Sequence, residues 1–305
     1  MFEINHNLLN SLYSDDIIYH YTKASTAIDY ILYNQQLRFS NSLSSSDPIE
    51  SRKASRSIVY NGEQANRKQT VKEVEEVNLL DSFIENLETT FLQICFCKNS
   101  MNDDIDSIPR FKGYEESLGF TKLRMWDQYA DRYSGVCIAF SKDKLLELNK
   151  SLDIYSKDIE YCNFQDIWFK KIGDIQGNHL INVGLDSYKE QIKKKIIDSW
   201  FCKHIDYSGE NEFRIGALFN KEKCTLEILR NEIVSNQTML DIKNCIKAIF
   251  VSSYANYKQK NELLNYANSL NVDLIEIKWN YNSIEAIDYK REKEFYSSFL
   301  NSKNS

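Results

Sequence analysis

IIYHYTKASTAIDYILYNQQLRFS, residues 17–40, reads as strand, helix, strand. IIYHYT is β-branched and aromatic with side chains alternating between two faces. AIDYILYNQQ carries apolar residues at helical spacing, and LRFS is short and extended. Outward from this unit the strands come singly, mixed with helices rather than in strict βαβ alternation. FLQICFC (91–97), VCIAF (136–140), Asp153–Tyr161, FRIGALF (213–219), AIFVS (248–252) and LIEIKW (274–279) read as strands, the last closing the sheet. The expected fold class is α+β, a single mixed-sheet domain over residues 1–305.

Between Ser40 and Phe91 the polar run NSLSSSDP reads as a loop closing at Pro48, followed by a weak helix from Ile49 to Tyr60. Val71, Val74, Val77 and Leu80 then recur every three residues in a charged segment, which predicts a long amphipathic helix through about Thr89. Residues 49–90 form a helical insertion on this reading. LRMWDQYADRY predicts a helix ending near Gly135, with that glycine as C-cap, and Ser141 an N-cap for KDKLLELNK. Helices are also expected over residues 185–204, after residue 219 and over 257–269. The loop from Lys98 to Phe120 is long and polar. No internal repeat and no Gly-rich phosphate loop occurs, so a doubly wound dinucleotide fold and a P-loop enzyme lack support.

With 42% hydrophobic and 27% charged residues the chain has enough apolar material for a sizeable core, which excludes wholesale disorder. A formal charge of −6 argues against a general duplex-coating role, because phosphate counterion release needs a basic footprint. Lys193–Lys195 lie in a helical pattern as its solvated face. No apolar run reaches bilayer length and the start, MFEINHNLLN, carries no leader pattern, so a cytoplasmic protein without membrane association is expected. Seven scattered cysteines, without a C-x-x-C pair, read as free thiols in a reducing compartment, and no metal is expected.

Four constellations can carry chemistry. In GENEFR (209–214), Glu210 and Glu212 share a face in extended geometry, with Arg214 beside them. Paired carboxylates can divide roles, one holding a developing cation and the other orienting a nucleophile; a solvated strand entry with a surface ion pair is the bland alternative. In YHYT, Tyr19 and Tyr21 point one way, His20 and Thr22 the other. The latter pair can hydrogen-bond ribose hydroxyls or an amide, or His20 can be a satisfied core histidine. In SNSLSSSDPIE, Ser40, Ser42, Asp47 and Glu50 offer turn and capping groups as much as ligands. In MWDQYADRYSGV, Trp126, Tyr129 and Ala130 form one helical stripe, core or a platform for a flat ring. The serines lack a G-x-S-x-G turn, so a Ser-His-Asp triad has no context.

Taken in order, YHYT, SDPIE, MWDQYADRYSGVCIAF and GENEFR resemble a bacterial domain-of-unknown-function family, number twenty-nine seventy-one, from about Ile17 to Ser252. The family usually has Asn-Asp-Pro where this chain has Ser46-Asp47-Pro48, and often a Trp where Tyr207 stands. Its members occur in anti-phage and abortive-infection settings. A looser resemblance, carried by H-Y-T on a first strand, L-R-F-S and a late E-x-E opening a strand, is to the NAD-binding core of ADP-ribosyltransferases. That resemblance implies NAD as substrate, with His20 and Thr22 holding ribose and amide, and Tyr129 stacking on nicotinamide. Glu212 is then the catalytic carboxylate and Glu210 faces the acceptor. Tyr21, Ser40, Trp126 and Arg214 complete the implied NAD-contacting set. The function expected is an ADP-ribosyltransferase or NAD-hydrolysing relative in defence or toxin activity. The acceptor is open between protein, nucleic-acid base and water, and a protein partner such as an antitoxin is allowed. It requires the first-strand imidazole and the late carboxylate to meet on one side of the sheet around an opening. The alternatives are a non-enzymatic sensor or interaction module, and a metal-dependent nuclease using Asp47, Glu50 and the E-x-E.

Overall fold

The structure, a computed structural model, describes residues 2–3, 6–41, 47–50, 56–66, 68–100, 117–171, 174–219, 238–281 and 283–295. Its centre is a ten-stranded mixed sheet. The strands are, in chain order, β1 (Phe2–Glu3), β2 (Ile17–Thr22), β3 (Ser40–Asn41), β4 (Phe91–Lys98), β5 (Val136–Ser141), β6 (Ile154–Asp158), β7 (Glu212–Leu218), β8 (Ile246–Ser252), β9 (Asp273–Asn280) and β10 (Ser283–Asp288). They lie in the order β1-β10-β9-β8-β5-β2-β4-β7-β6, with β3 also paired to β4. β1 with β10 and β8 with β9 are parallel, and the other neighbours antiparallel. The sheet therefore continues past LIEIKW, through β10 and β1.

Helices are α1 (His6–Leu12), α2 (residues 24–32, wound as π-helix over Ala27–Leu32), α3 (Val71–Thr90), α4 (Leu123–Tyr129), α5 (Lys142–Leu148), α6 (Phe164–Lys170), α7 (Gly177–Val183), α8 (Leu185–Ser199) and α9 (Tyr257–Leu270). Strand alternation sends Ile18, Leu92, Ile94, Phe96, Ile138, Phe213 and Ile215 into one core, which takes in Ala27 and Ile31 of α2 and Leu263 of α9. The opposite face sends Tyr19, Tyr21, Cys97, Cys137 and Phe250 into a second core with Phe120 and Trp126. A third core lies between α3 and α8, where Val77, Leu80, Ile84 and Leu87 meet Tyr188, Ile192 and Ile196.

Several sequence expectations change. Ser57–Val59 is not helical; it is a short strand paired in parallel with Asp174–Gln176. The expected helix over 185–204 stops at Ser199, and Cys202–His204 pairs with Glu160–Cys162. α4 ends at Tyr129, because Asp131, Arg132 and Tyr133 all take positive φ. Gly135 is not a left-handed cap. Its role is closeness, since a Cβ there would lie 2.3 Å from the Thr22 carbonyl oxygen and 2.8 Å from the Ala130 backbone. Residues 220–237, where a further helical stretch is expected, and much of the 98–120 loop lie outside the described residues.

The feature that shapes the site is an interruption between β2 and β4. β2 keeps register with β5 along its whole length, yet pairs with β4 only at Ile18↔Lys98 and Tyr19↔Cys97. Beyond Tyr19 the strands separate, while β4 and β7 remain paired from Glu212↔Cys97 to Leu218↔Phe91.

Candidate active site

The chain enters β7 through a tight 3-10 turn, Ile205–Glu210, and a left-handed Asn211 at φ 45°. The Asn211 amide donates to the carbonyls of Lys98 (3.3 Å) and Asn99 (2.6 Å), which anchors the reversal to the end of β4. Asn is among the residues that tolerate this conformation best. Glu210 and Glu212 therefore converge through the turn, not by alternation along one extended strand. Their meeting point is Lys203, whose Nζ lies 2.8 Å from Glu210 Oε2 and 3.3 Å from Glu212 Oε2.

Arg214, two residues along the same face, donates from Nε to Glu212 Oε1 at 2.8 Å. Its Nη2 reaches Glu212 Oε1 and Glu50 Oε1, both at 2.7 Å, and its Nη1 the Trp200 carbonyl at 2.5 Å. Glu50 is delivered by the turn in which Asp47 Oδ1 accepts from the Ile49 N–H at 2.7 Å. The Tyr129 hydroxyl donates to Glu210 Oε1 at 3.0 Å, and the Glu212 N–H donates to the Tyr161 hydroxyl at 2.8 Å. Lys203, Glu210, Glu212 and Arg214 are each 5% exposed or less, so this is a buried ion cluster rather than a solvated strand entry. Three carboxylates (Glu50, Glu210, Glu212) face two cations (Lys203, Arg214), an excess of one negative charge.

Burial by itself would lower the Lys203 ammonium, but Glu212, Glu50 and Glu210 outweigh it and hold the ammonium above its ordinary value. Arg214 is raised in the same way by Glu212 and Glu50. Burial, reinforced by Glu210, pushes the Tyr129 phenol up. Desolvation in the cavity wall and the charge of Glu212 raise the Cys95 thiol against the pull of Arg214, although its side chain is exposed to the cavity rather than packed. Burial lowers His20, keeping it neutral. Because its Nδ1 faces the Cys95 carbonyl at 3.1 Å, and a carbonyl can only accept, Nδ1 carries the proton and Nε2 is an acceptor.

Alongside this cluster lies a cavity of about 400 Å³, at the separation of β2 from β4. Of the residues singled out in the sequence, Tyr19, His20, Tyr21, Ser40, Glu50, Tyr129, Glu210 and Glu212 line it. Thr22, Trp126 and Arg214 do not. Trp126 is fully buried, its indole N–H donating to the Phe120 carbonyl at 2.7 Å and its ring edge-on to Tyr21. Arg214 acts from behind, through Glu212 and Glu50.

One expectation is corrected. Register fixes Tyr19, Cys97 and Glu212 in the same phase, and His20 in the phase of Ile138 and Phe96, against whose ring the imidazole packs at 5.8 Å. The imidazole and the Glu212 carboxylate thus leave opposite faces of the sheet, and both border the cavity only because the sheet is interrupted there. Glu212 shares its face with Tyr19 and Tyr21. Sequence reasoning passed over Lys203, Gln93 and Arg38 as candidates; they and Cys95 line the cavity too.

The matched region of the chain runs from α4 to β7. Residues 125–215 match the model of a family described as a protein of unknown function, DUF2971. The resemblance to DUF2971 read from the sequence is thereby shown for this stretch, a minority of the expected 17–252 span. It contains Tyr129, Lys203, Glu210, Glu212 and Arg214, while the β2, β3 and β4 walls of the cavity lie before it. No curated protein and no solved structure matches the chain significantly. Among the described residues no group of three or more His, Cys, Asp or Glu is placed to hold a metal ion, and no described helix is long and apolar enough to cross a membrane.

Proposed function

We propose that the chain is an NAD-consuming enzyme, an ADP-ribosyltransferase or NAD-hydrolysing relative, in which the His20 imidazole and the Glu212 carboxylate do not share a face of the sheet as that class was expected to require, and meet only across the opening between β2 and β4. The observation that carries this reading is the pair of buried carboxylates, Glu210 and Glu212, on the wall of the cavity, within a cluster in which three carboxylates meet two cations. Such a wall favours a group that is, or becomes, positively charged. At about 400 Å³ the cavity suits a nucleoside-sized portion of a ligand, the nicotinamide-ribosyl half, with the remainder extending from the mouth beside the exposed Arg38.

In the proposed step the C1′–nitrogen bond breaks and its electron pair leaves with neutral nicotinamide. The ribose acquires oxocarbenium character, which Glu212 stabilises from a water-poor wall. Glu210, braced by Tyr129 and Lys203, orients the incoming nucleophile, and Tyr129 flanks the departing ring. The nucleophile bonds to C1′ and releases its proton to solvent. It can be a protein side chain, a nucleic-acid base or water. The defence or toxin setting rests on the family resemblance alone.

The test uses NAD labelled in nicotinamide, incubated with the full chain alone and with cell extract. Wild type is expected to release nicotinamide, and Glu212→Gln to be slowed about a hundredfold or more while its circular dichroism stays native. If wild type neither binds NAD nor releases nicotinamide in either condition, the reading is wrong. A second reading, a non-enzymatic interaction module, is favoured by the full occupancy of the cluster. Each oxygen of Glu210 and Glu212 already has a partner. On that reading Glu212→Gln lowers stability, and NAD gives no thermal shift in either protein.

A further inference from the structure

Gln93 stands on β4 between Ser40 of β3 and Gly216 of β7, two residues from Cys95 and on the same face as Glu212. It lines the cavity and is 4% exposed. Its side chain makes no hydrogen bond with any described residue, and Oε1 is buried without a partner. The neighbouring Ser40 hydroxyl donates to the Gln93 backbone carbonyl at 3.3 Å, leaving the carboxamide unanswered. Its cross-strand neighbours are Ser40, whose hydroxyl is engaged with the backbone carbonyl, and Gly216, which brings no side chain and is covered by the Phe91 ring. Buried polar groups are ordinarily satisfied, and an unsatisfied one costs stability unless something else requires it.

We infer that Gln93 is a specificity-determining residue that recognises the primary carboxamide of the nicotinamide group. This rests on the NAD reading above and adds the contact that selects the ring. A carboxamide presents a donor and an acceptor side by side, and a half-turn about its terminal C–C bond exchanges the two. Its complement is another primary carboxamide, joined by two antiparallel hydrogen bonds. A carboxylate such as that of nicotinic acid offers only acceptors and leaves one edge unmatched. Gln93 would hold the leaving group by its amide, its side chain turning to bring the buried Oε1 to the cavity, while the ribosyl carbon lies towards Glu212 on the same face.

Nicotinamide, nicotinic acid and NAD are the probes, titrated by ligand-observed NMR into full-length wild type, Gln93→Met and Gln93→Glu, with melting curves for each. Wild type is expected to prefer nicotinamide by about tenfold or more. Gln93→Met should lose that preference while melting at or above the wild-type temperature, because an unpartnered buried polar atom has been removed. Gln93→Glu keeps the shape and the acceptor but adds charge, so it should widen the preference against nicotinic acid; it decides the matter if the Met variant does not fold. If wild type binds neither nicotinamide nor NAD, this inference falls together with the NAD reading. If wild type binds nicotinamide and the variants keep its preference unchanged, the Gln93 assignment alone is overturned.

Discussion

Lys203 bridges two carboxylates at once, and removing it leaves Glu210 without a cation out of water while Glu212 keeps only Arg214. Burying an unmatched charge costs far more than losing a neutral hydrogen bond. Lys203→Met should therefore destabilise the protein by roughly 3–5 kcal/mol, against about 1 kcal/mol for Tyr129→Phe, which removes one hydroxyl from Glu210. Guanidinium unfolding of the two variants checks this, and equal small shifts would mean that solvent reaches the cluster. None of this was legible for Lys203, which sits between Cys202 and His204 and meets its partners only because Cys202–His204 pairs with Glu160–Cys162 and Asn211 turns the chain. The E-x-E was visible as a pair, but the route by which the carboxylates converge was not. For His20, alternation along β2 was read correctly: Tyr19 and Tyr21 take one face, His20 the other. What single-strand alternation cannot supply is the phase of a second strand, and Glu212 took that of Tyr19.

At the level of elements, α3 shows how far periodicity reaches. The three-residue spacing of Val71, Val74, Val77 and Leu80 identified a helix, yet Val71 and Val74 are 76% and 43% exposed. A strict spacing of three drifts off the face of a 3.6-residue helix, and the buried stripe is Val77, Leu80, Ile84 and Leu87. Its start is set by a capping box: the Glu73 N–H donates to the Thr70 hydroxyl at 3.3 Å, and the Thr70 N–H to Glu73 Oε2 at 2.8 Å. Thr70→Ala should cost about 1 kcal/mol and speed amide exchange in the first turn. Unchanged exchange at residues 71–74 would show that packing on α8, not the cap, fixes this end. The early end of α4 had no comparable signal, since the positive φ angles fall on Asp131, Arg132 and Tyr133 rather than on a glycine.

Across the whole molecule most strands were legible from β-branched and aromatic runs, whereas their order was not: β2 lies beside β5 and β4, and the sheet ends on β1, joined to β10. Such pairings depend on which apolar faces fit across long separations, which local pattern does not encode. The far half of this sheet is tied to its helix by Glu276 of β9, which accepts from Lys260 of α9 at 2.5 Å and lies 3.2 Å from Lys278. Lys278 in turn reaches Glu292 at 2.5 Å. Burial pushes the Glu276 carboxyl up, but the contacts with Lys260 and Lys278 outweigh it, and the group is held below its ordinary value. A carboxyl lowered in the folded state contributes stability that is complete above its unfolded pKa of about 4.3, and that is lost as pH falls through the folded value. Glu276→Gln should accordingly be less stable than wild type at pH 7, with the difference holding down to about pH 5 and closing in more acidic solution. Thermal melts of both proteins across that range measure it. Parallel acid limbs, with the gap unchanged below pH 4, would mean that the Lys260–Glu276–Lys278 contacts do not depress the carboxyl and that acid lability originates elsewhere.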